Sequence, residues 1–268
     1  MADSSSSSQR RFGDLRRGFT TLLRDPEWFP KILLAGILLI NPLVVAFAPG
    51  WFANSGPAWV RAAFPWLVLL NALTFWFPLG FTFEVLRRAR SGKGDQLPDW
   101  TPSLLPRYAR EGAVKLFLSI FTLILPVGIW TAFAWLLMGK ICGLPDGILG
   151  LAAGAGLWVA VPFCAVACCR WLDGASVASA ALNYAENWRR FRARASDYLL
   201  ASAFLAGVNS VTCSLFYTIP LGAVFGLCLV DTWFGPIYAE TVDLPASSRA
   251  ENSNPHSTDV GASEAVRA

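Results

Sequence analysis

Charged residues are scarce in this sequence. Of its 268 residues, 15% are Asp, Glu, Lys or Arg and 54% are hydrophobic, whereas about a quarter of a typical soluble domain is charged. A soluble chain of this length would leave too much apolar surface in contact with water. The composition therefore predicts a membrane protein, in which lipid is the solvent for the apolar side chains.

Histidine is almost absent as well. The single histidine, His256, lies in a polar tail among Ser, Asn and Pro. A Ser-His-Asp triad, a histidine-ligated zinc ion and a haem held by histidine all require an imidazole on an ordered element. No nucleophile with a neighbouring base and no metal cluster can be assembled from the remaining residues. We therefore expect neither enzymatic activity nor a cofactor.

Cysteine is present, but not in a spacing that indicates chemistry. None of the six cysteines forms a C-x-x-C pair, and five lie within or at the ends of apolar stretches. A disulfide framework or metal knuckle is not expected. We expect small buried thiols that fill helix contacts, with palmitoylation of Cys168 and Cys169 as the alternative. The six are Cys142, Cys164, Cys168, Cys169, Cys213 and Cys228.

What the sequence has in abundance is long apolar runs. Six of them are near the roughly 20 residues that a helix needs to cross a hydrocarbon core about 30 Å thick. We predict an all-α transmembrane bundle of about six spans within one membrane domain, residues 10–240, between disordered polar ends at 1–9 and 241–268. No cleavable signal peptide is expected, because the Ser-rich start lacks an apolar core. The spans are predicted at residues 32–48, 64–86, 116–138, 148–169, 198–217 and 220–239.

The basic residues fall on one side of these spans. Of the 22 Lys and Arg residues, 20 lie in the N-terminal flank, in the loops after the second and fourth spans, and in the C-terminal tail. Only Arg61 and Lys140 remain for the opposite side. Cytoplasmic loops carry an excess of Lys and Arg. Both termini are therefore predicted in the cytoplasm, with the protein in the cell membrane.

Two cytoplasmic segments have the periodicity of amphipathic interfacial helices. In the N-terminal flank, four apolar residues from Phe12 to Leu22 fall within about 80° of arc on a helix. A second apolar face runs from Val177 to Phe191, with charged residues pointing away. We predict that both lie against anionic lipid headgroups rather than nucleic acid, because their basic residues adjoin the spans. Candidate lipid contacts are Arg16, Arg17, Trp100, Trp188, Arg189, Arg190 and Phe191.

The corner before the third span offers two interpretations. Trp100 and Tyr108 lie among basic residues, a composition typical of docking sites for soluble partners. The favoured interpretation is that both rings lie at headgroup level.

Small residues recur at the start of the fourth span. Gly147, Gly150 and Gly154 share one helical face, and the step from Gly150 to Gly154 is a small-x-x-x-small motif. Such steps allow two backbones to approach closely. We predict close packing against another span of the same chain, with a second copy of the chain as the alternative.

Two acidic residues are candidate intramembrane functional residues. Glu84 ends the second span with Arg87 and Arg88 three and four residues later, which predicts a local ion pair; a gate or substrate contact is the alternative. Asp231 is the deepest acid, and no basic residue is expected at its depth. It is predicted to be protonated, bonded to a neighbour such as Asn209, or hydrated.

Several short motifs are shared with a known group of membrane proteins. They are Arg24-Asp25-Pro26-Glu27-Trp28 with Lys31, Gly80 in the second span, Leu97-Pro98-Asp99-Trp100, Asn187-Trp188-Arg189-Arg190 and Asp197-Tyr198-Leu199. With these motifs the chain resembles, over most of residues 20–240, an integral membrane family catalogued as domain of unknown function 4013, found in archaea and bacteria. The resemblance implies a prokaryotic multi-pass membrane protein without an established activity. The chain departs from the family pattern at Thr232-Trp233-Phe234-Gly235-Pro236.

Two functions from different classes are compatible with these patterns. The favoured one is a non-enzymatic protein that organises or assists other membrane components, with its basic side on anionic lipid or a membrane-protein partner. The alternative is a small-solute permease with Asp231 and helix-breaking prolines at its site.

Overall fold

The structure is a computed structural model and describes residue 16 and residues 18–47, 58–93, 96–143, 147–212 and 219–242. Within these ranges every regular element is helical. A short helix, α1, occupies residues 18–24. The others are α2 (Trp28–Phe47), α3 (Ala58–Thr74), α4 (Trp76–Arg90), α5 (Leu105–Ser119), α6 (Leu125–Ala134), α7 (Gly147–Leu172), α8 (Val177–Leu182), α9 (Tyr184–Ala193), α10 (Ala195–Thr212) and α11 (Ile219–Val242).

Three of the described helical stretches are long and apolar enough to cross a membrane: Leu105–Ile141, Gly150–Leu172 and Leu221–Val242. They match the predicted third, fourth and sixth spans and indicate association with a membrane. The other predicted spans coincide with α2, with α3 and α4 together, and with α10, although residues 213–217 of the fifth lie outside the described ranges. The count of six stays a prediction.

The stretch Leu105–Ile141 includes two π-helical segments, Ile120–Ile124 and Trp135–Ile141. The first lies directly before Pro126, which has no N–H to donate to a carbonyl of the preceding turn. In the π register that carbonyl belongs to Phe121, and it accepts a hydrogen bond from the Tyr184 hydroxyl instead (2.5 Å). A residue of α9 thus satisfies the backbone where the proline interrupts it.

Helix α11 lies at the centre of the bundle and packs against α2, α4, α7 and α10. Its apolar side chains Val224, Leu229 and Phe234 are buried. Its most extensive contact is with α4, and α4 in turn packs extensively against α5. By contrast, α3 packs mainly on α2 and leaves large apolar side chains exposed, including Trp59 and Trp66.

Glycine permits close packing between α4 and α5. The close packing predicted for glycines at the start of α7 is a separate case. A Cβ on Gly80 would collide with the backbone of Tyr108, and one on Gly112 with the carbonyl of Trp76. By contrast, no described residue lies within 4 Å of a Cβ added to Gly150 or Gly154. The prediction that these two pack against another span of the chain is therefore wrong; the side-chain surroundings of Gly147 lie outside the described part.

The turns between helices are set by local residues. Gly92 and Gly174 follow α4 and α7 with φ of 72° and 93°, the left-handed conformation that commonly ends a helix. Ser176 and Asn183 then begin α8 and α9, because their side chains accept hydrogen bonds from the backbone N–H groups of Ser179 and Glu186. The predicted amphipathic segment 177–191 is thus two short helices.

Candidate functional site

A buried ion pair joins three helices of the bundle. The Lys115 Nζ of α5 donates to Asp231 Oδ2 of α11 (2.9 Å) and to Thr82 Oγ1 of α4 (2.8 Å). Thr82 Oγ1 in turn donates to the Leu79 carbonyl (3.0 Å). Lys115, Asp231 and Thr82 are 8%, 4% and 1% exposed. The charges therefore satisfy each other within the protein.

Small polar side chains of α7 lie next to this ion pair. Ser119, one turn after Lys115 on α5, has its Oγ 3.5 Å from Cys164 Sγ. Cys164, Cys168 and Cys169 of α7 and Cys228 of α11 are buried thiols. Their burial confirms the prediction that they fill helix contacts, and it makes the alternative of palmitoylation at Cys168 and Cys169 wrong. Cys142 is exposed, and Cys213 lies outside the described residues.

The prediction that no basic residue lies at the depth of Asp231 is wrong, because Lys115 bonds to it directly. The predicted spans leave Lys115 in the loop before the third span, but it lies ten residues inside α5. The periodicity could have revealed this, because Tyr108, Glu111, Lys115 and Leu118 recur at helical spacing and all are buried. Asn209 is not the partner of Asp231; its Oδ1 packs against Gly226 without a hydrogen bond.

Glu84 belongs to a network of five charged residues between α4 and α5. As predicted, it pairs with Arg87 and with Arg88 (3.4 Å). Arg107 of α5 contacts Glu84 at 2.8 Å and Glu111 at 2.9 Å. Arg87 also contacts Glu111, at 2.6 Å. The local pair is confirmed, and the network extends it across the same two helices that the glycines hold together.

A second polar junction connects the start of α2 to the loop between α4 and α5. Asp25 Oδ2 accepts hydrogen bonds from Lys31 Nζ (2.9 Å) and from the Leu97 backbone N–H (3.0 Å). Lys31 Nζ is also 2.7 Å from Asp99, and the Lys31 carbonyl accepts from Trp100 Nε1 (3.0 Å). We call these five residues the loop junction.

Trp100 and Tyr108 extend the loop junction into the core. The Trp100 ring stacks on Phe81, with ring centroids 4.9 Å apart, and Tyr108 is fully buried. The Tyr108 hydroxyl donates to the Asp99 carbonyl (2.8 Å). The Tyr108 ring contacts protein, since it packs edge-on against Phe81 between α4 and α5; that it lies at headgroup level stays a prediction. Trp100 is half-buried and anchors the loop.

The electrostatics of the loop junction favour the ionised form of Asp25. Burial alone raises the pKa of this carboxyl. The hydrogen bonds from Lys31, from the Glu27 N–H and from the Leu97 N–H outweigh burial and hold the pKa below its usual 3.8.

A third cluster joins α4, α7, α9 and α11. Asp173, just after α7, pairs with Arg90 and accepts a hydrogen bond from the Tyr238 hydroxyl (2.7 Å). Arg190 of α9 bonds to the same hydroxyl and lies 3.7 Å from Asp173. Both guanidinium groups lie over the Tyr238 ring, 5.6 Å and 5.4 Å from its centroid.

Arg170 is buried without a carboxylate partner among the described residues. It donates to Asn187 Oδ1 (2.6 Å) and to the carbonyls of Ser179 and Asn183 at 3.3 Å and 3.5 Å. These carbonyls belong to the C-terminal end of α8, whose dipole favours a cation. Asn187 Nδ2 donates to the Ala180 carbonyl (2.9 Å), so α7, α8 and α9 are connected through one amide.

The charged and polar clusters described above lie at one end of the bundle, where seven helices meet. The N-terminal ends of α2, α5 and α10, the C-terminal ends of α4, α7 and α11, and all of α9 meet there. Arg194 at the start of α10, for example, contacts Glu240 near the end of α11 at 3.0 Å. We call this region the charged end.

The predicted lipid contacts meet different surroundings. Arg16 is exposed, and Arg17 lies outside the described part of the chain. Arg189 and Arg190 both bind Glu186, and these bonds lower the pKa of that carboxyl although burial alone raises it. Trp188 is 49% exposed, whereas Phe191 is 3% exposed and stacks on Tyr198. Phe191 was therefore wrongly predicted to contact lipid.

The N-terminal predicted face also packs on protein. Leu22 is fully buried in the core, and the Phe19 ring lies 5.8 Å from Trp233 and 6.5 Å from Phe225. Phe12 and Leu15, the other two residues of this face, lie outside the described ranges.

Two open cavities in the described structure have apolar linings. One, of about 600 Å³, lies between Phe19, α10 and Phe225. The other, of about 470 Å³, lies beside α6 and includes Trp130 and Tyr184. Neither is lined by Lys115 or Asp231. In the part of the chain that the structure describes, no group of three or more His, Cys, Asp or Glu is placed to hold a metal ion.

No family model, curated protein or solved structure matches this chain. The resemblance to domain of unknown function 4013 therefore stays a prediction.

Proposed function

We propose that this protein is a six-span integral membrane protein that organises or assists other membrane components and has no enzymatic activity. In this arrangement the charged end faces the cytoplasm, since it holds Arg87, Arg107, Arg190 and Arg194. The alternating helix directions at that end agree with three antiparallel membrane hairpins, each entering and leaving on the same side.

The roles of the ionisable groups support an organising function over a chemical one. Lys115 and Asp231 bond to each other, and Glu84 and Glu111 bond to arginines of neighbouring helices. Such saturated contacts fix helix positions and leave no free base or nucleophile at those sites.

The main observation that supports the proposal is the exposed side of α3. Trp59, Ala62, Trp66, Leu69 and Leu73 follow each other at alternating steps of three and four residues, the spacing of a helix–helix seam. The two Trp side chains are 73% and 72% exposed. Because no other described helix covers this row, we propose that a helix of another membrane protein packs on it. Trp is enriched at the centres of protein interfaces.

Photo-crosslinking in native membranes tests this proposal. A photoreactive residue in place of Trp66 should give a discrete protein adduct of constant added mass. The matched position is Ile129 on α6, which is 63% exposed but outside the row, and it should label lipid only. If position 66 also labels lipid alone, or if both positions label many proteins equally, α3 is not a docking helix.

A permease is the second candidate, and the Lys115–Asp231 pair favours it. Ionisable residues inside spans commonly mark ion or substrate pathways. The described cavities do not reach the pair, which favours the structural role. Purified protein in liposomes decides between them: a cation or proton flux that Asp231→Asn abolishes would replace the organising function with transport.

We also propose membership of the family that the motifs resemble. Its support is the loop junction, where the motif around Asp25 meets the motif Leu97-Pro98-Asp99-Trp100 through direct hydrogen bonds. Gly80, another of the resembling residues, packs directly on Tyr108 of the same region. If the chain shares the fold of that family, motifs that are distant in sequence should meet in the structure, as these do.

A further inference from the structure

Two prolines interrupt neighbouring helices at the same level of the bundle. Pro126 follows the first π-helical segment at the start of α6, and Pro162 lies inside α7. Tyr184 contacts both helices beside these breaks: its hydroxyl bonds to the Phe121 carbonyl (2.5 Å), and its ring stacks on Phe163 with centroids 5.9 Å apart. Prolines and π-bulges are the places where long helices bend sharply. This antiparallel pair can therefore bend in both helices at one level.

Beyond that level, away from the charged end, the two helices are tied to each other. Trp130 Nε1 of α6 donates to the Ala152 carbonyl of α7 (2.8 Å). The same indole lies so close to Gly156 that a Cβ added there would be 2.8 Å from the ring. Among the described elements, α6 makes its main contacts with α7 and with the π-helical segments at its two ends. We call α6, the segment Trp135–Ile141 and residues 147–157 of α7 the outer hairpin.

Hydrogen bonds to neighbouring helices hold both breaks in place. The Tyr184 hydroxyl of α9 supplies the Phe121 carbonyl with the donor that a proline lacks. On the other helix, Trp158 lies one turn before Pro162, and its Nε1 donates to the Leu199 carbonyl of α10 (2.8 Å). Helix α9 is itself fixed at the charged end by its contacts with α11 and with the residue after α7. The Tyr184 hydroxyl therefore acts from a fixed support.

We infer that the outer hairpin pivots as one unit about the level of Pro126 and Pro162, and that Tyr184 is the latch that sets its position. The hydroxyl stabilises the present position because it satisfies a carbonyl that the helix itself cannot satisfy. From Pro126 to Ile141 the hairpin extends about 22 Å at 1.5 Å per residue, so a change of about 20° in tilt moves its far end by roughly 8 Å. This device goes beyond the proposed organising function and does not depend on the proposed partner at α3.

Distances between spin labels in the purified full chain, reconstituted in lipid nanodiscs, test the pivot. Labels attached to p-acetylphenylalanine leave the native cysteines in place. One label replaces Ile141 of the outer hairpin and the other replaces Val211 of α10, which are 70% and 75% exposed. Tyr184→Phe removes the hydroxyl but keeps the ring that stacks on Phe163, so the fold should be retained. It should add 141–211 distances that differ from the wild-type maximum by roughly 8 Å.

Three controls separate a pivot from other effects. A label pair within the outer hairpin, at Ile141 and Leu151, should keep its distance in Tyr184→Phe protein. Tyr198→Phe is the matched removal of a hydroxyl that is buried without a hydrogen-bond partner among the described residues, and it should leave the 141–211 distance unchanged. Pro126→Ala restores a backbone N–H donor. Added to Tyr184→Phe, it should return the 141–211 distribution to that of the wild type, because the helix then satisfies its own carbonyl.

Four results would overturn the inference. These are an unchanged 141–211 distribution in Tyr184→Phe protein, an equal shift in Tyr198→Phe protein, a changed 141–151 distance, and a shift that persists after Pro126→Ala is added. A failed crosslink at position 66, with these distances as expected, would reject the docking helix and leave the pivot standing.

Discussion

Lys115 and Asp231 are buried so deeply that each needs the other to remain charged. Removing one charge of such a pair leaves the second without a partner, which typically costs about 3–5 kcal/mol. Asp231→Asn, harmless if the carboxyl were protonated and alone, should therefore lower the free energy of unfolding by about that amount. The double variant Lys115→Met, Asp231→Leu should lose less than either single variant, because it leaves no buried charge. Thermal unfolding in detergent measures the three variants.

Glu240 provides the control for the ion-pair series. It contacts Arg194 at the charged end, but its side chain is 56% exposed, so Glu240→Gln should change stability by at most about 1 kcal/mol. Additive losses in the double variant would contradict the coupling between Lys115 and Asp231.

The stability of the fold should depend on pH in the acid range because of Asp25. Its pKa is lower in the folded state than in the unfolded state, so its contribution to stability is complete above the unfolded pKa, near 3.8. That contribution is lost as the pH falls through the lower, folded pKa. Asp25→Asn should cost about 1.5–3 kcal/mol at pH 7, the range for hydrogen bonds to a charged group.

The comparison across pH is the decisive part of this test. Unfolding of wild-type and Asp25→Asn proteins should differ at pH 7 and converge as the pH is lowered below 3.8. A difference that is constant down to the lowest pH at which the protein remains soluble would contradict an ionised Asp25.

Among the elements, α4 and α5 are the pair most dependent on close backbone contact. Gly112→Ala should destabilise the protein by about 1–3 kcal/mol, because the added methyl group would meet the rigid carbonyl of Trp76. Gly154→Ala should be neutral or should stabilise by up to about 1 kcal/mol, since it faces open space in a helix that prefers Ala. Melting temperatures of the two variants measure the difference. Equal destabilisation would show that Gly154 also has a close neighbour, such as a second copy of the chain.

Two aromatic residues of α9, three positions apart, differ in burial: Trp188 is half exposed and Phe191 is buried. Phe191→Ala should destabilise the fold by about 3–5 kcal/mol, because the ring is buried against Tyr198. Trp188→Ala should leave the melting temperature nearly unchanged, since the ring is half exposed. A spin label at position 189 should report whether α9 contacts the membrane, as predicted, in each variant. Equal stability losses would contradict the different burial of the two rings.

At the scale of the whole molecule, the arrangement of helix ends predicts the topology. Reporter fusions after Arg90, after Arg194 and at the C-terminus should all read cytoplasmic, and fusions near Asn54 and Gly143 should read external. The first two of these fusion positions, after Arg90 and after Arg194, lie at the charged end. An external C-terminus would require an odd number of spans and would reject the six-span arrangement.

The sequence predicted helices well and their mutual contacts poorly. Apolar runs and helical periodicity depend on neighbours within about 20 residues, so the helices and the Glu84 pair with Arg87 and Arg88 could be predicted. Asp231 finds its partner 116 residues away, and no local pattern identifies such a pair. Phe191 shows a related limit: an apolar helix face predicts burial without distinguishing lipid from protein.

Residue separation along the chain also has a consequence for biosynthesis. In the proposed arrangement Lys115 enters the membrane with α5, but its carboxylate partner is made only with α11, more than a hundred residues later. Until then the ammonium has Thr82 as its hydrogen-bond partner and no counter-charge, an arrangement that a bilayer disfavours. In that arrangement a nascent chain stopped before α11 would differ from the finished protein by a lysine within the bilayer that lacks its counter-charge.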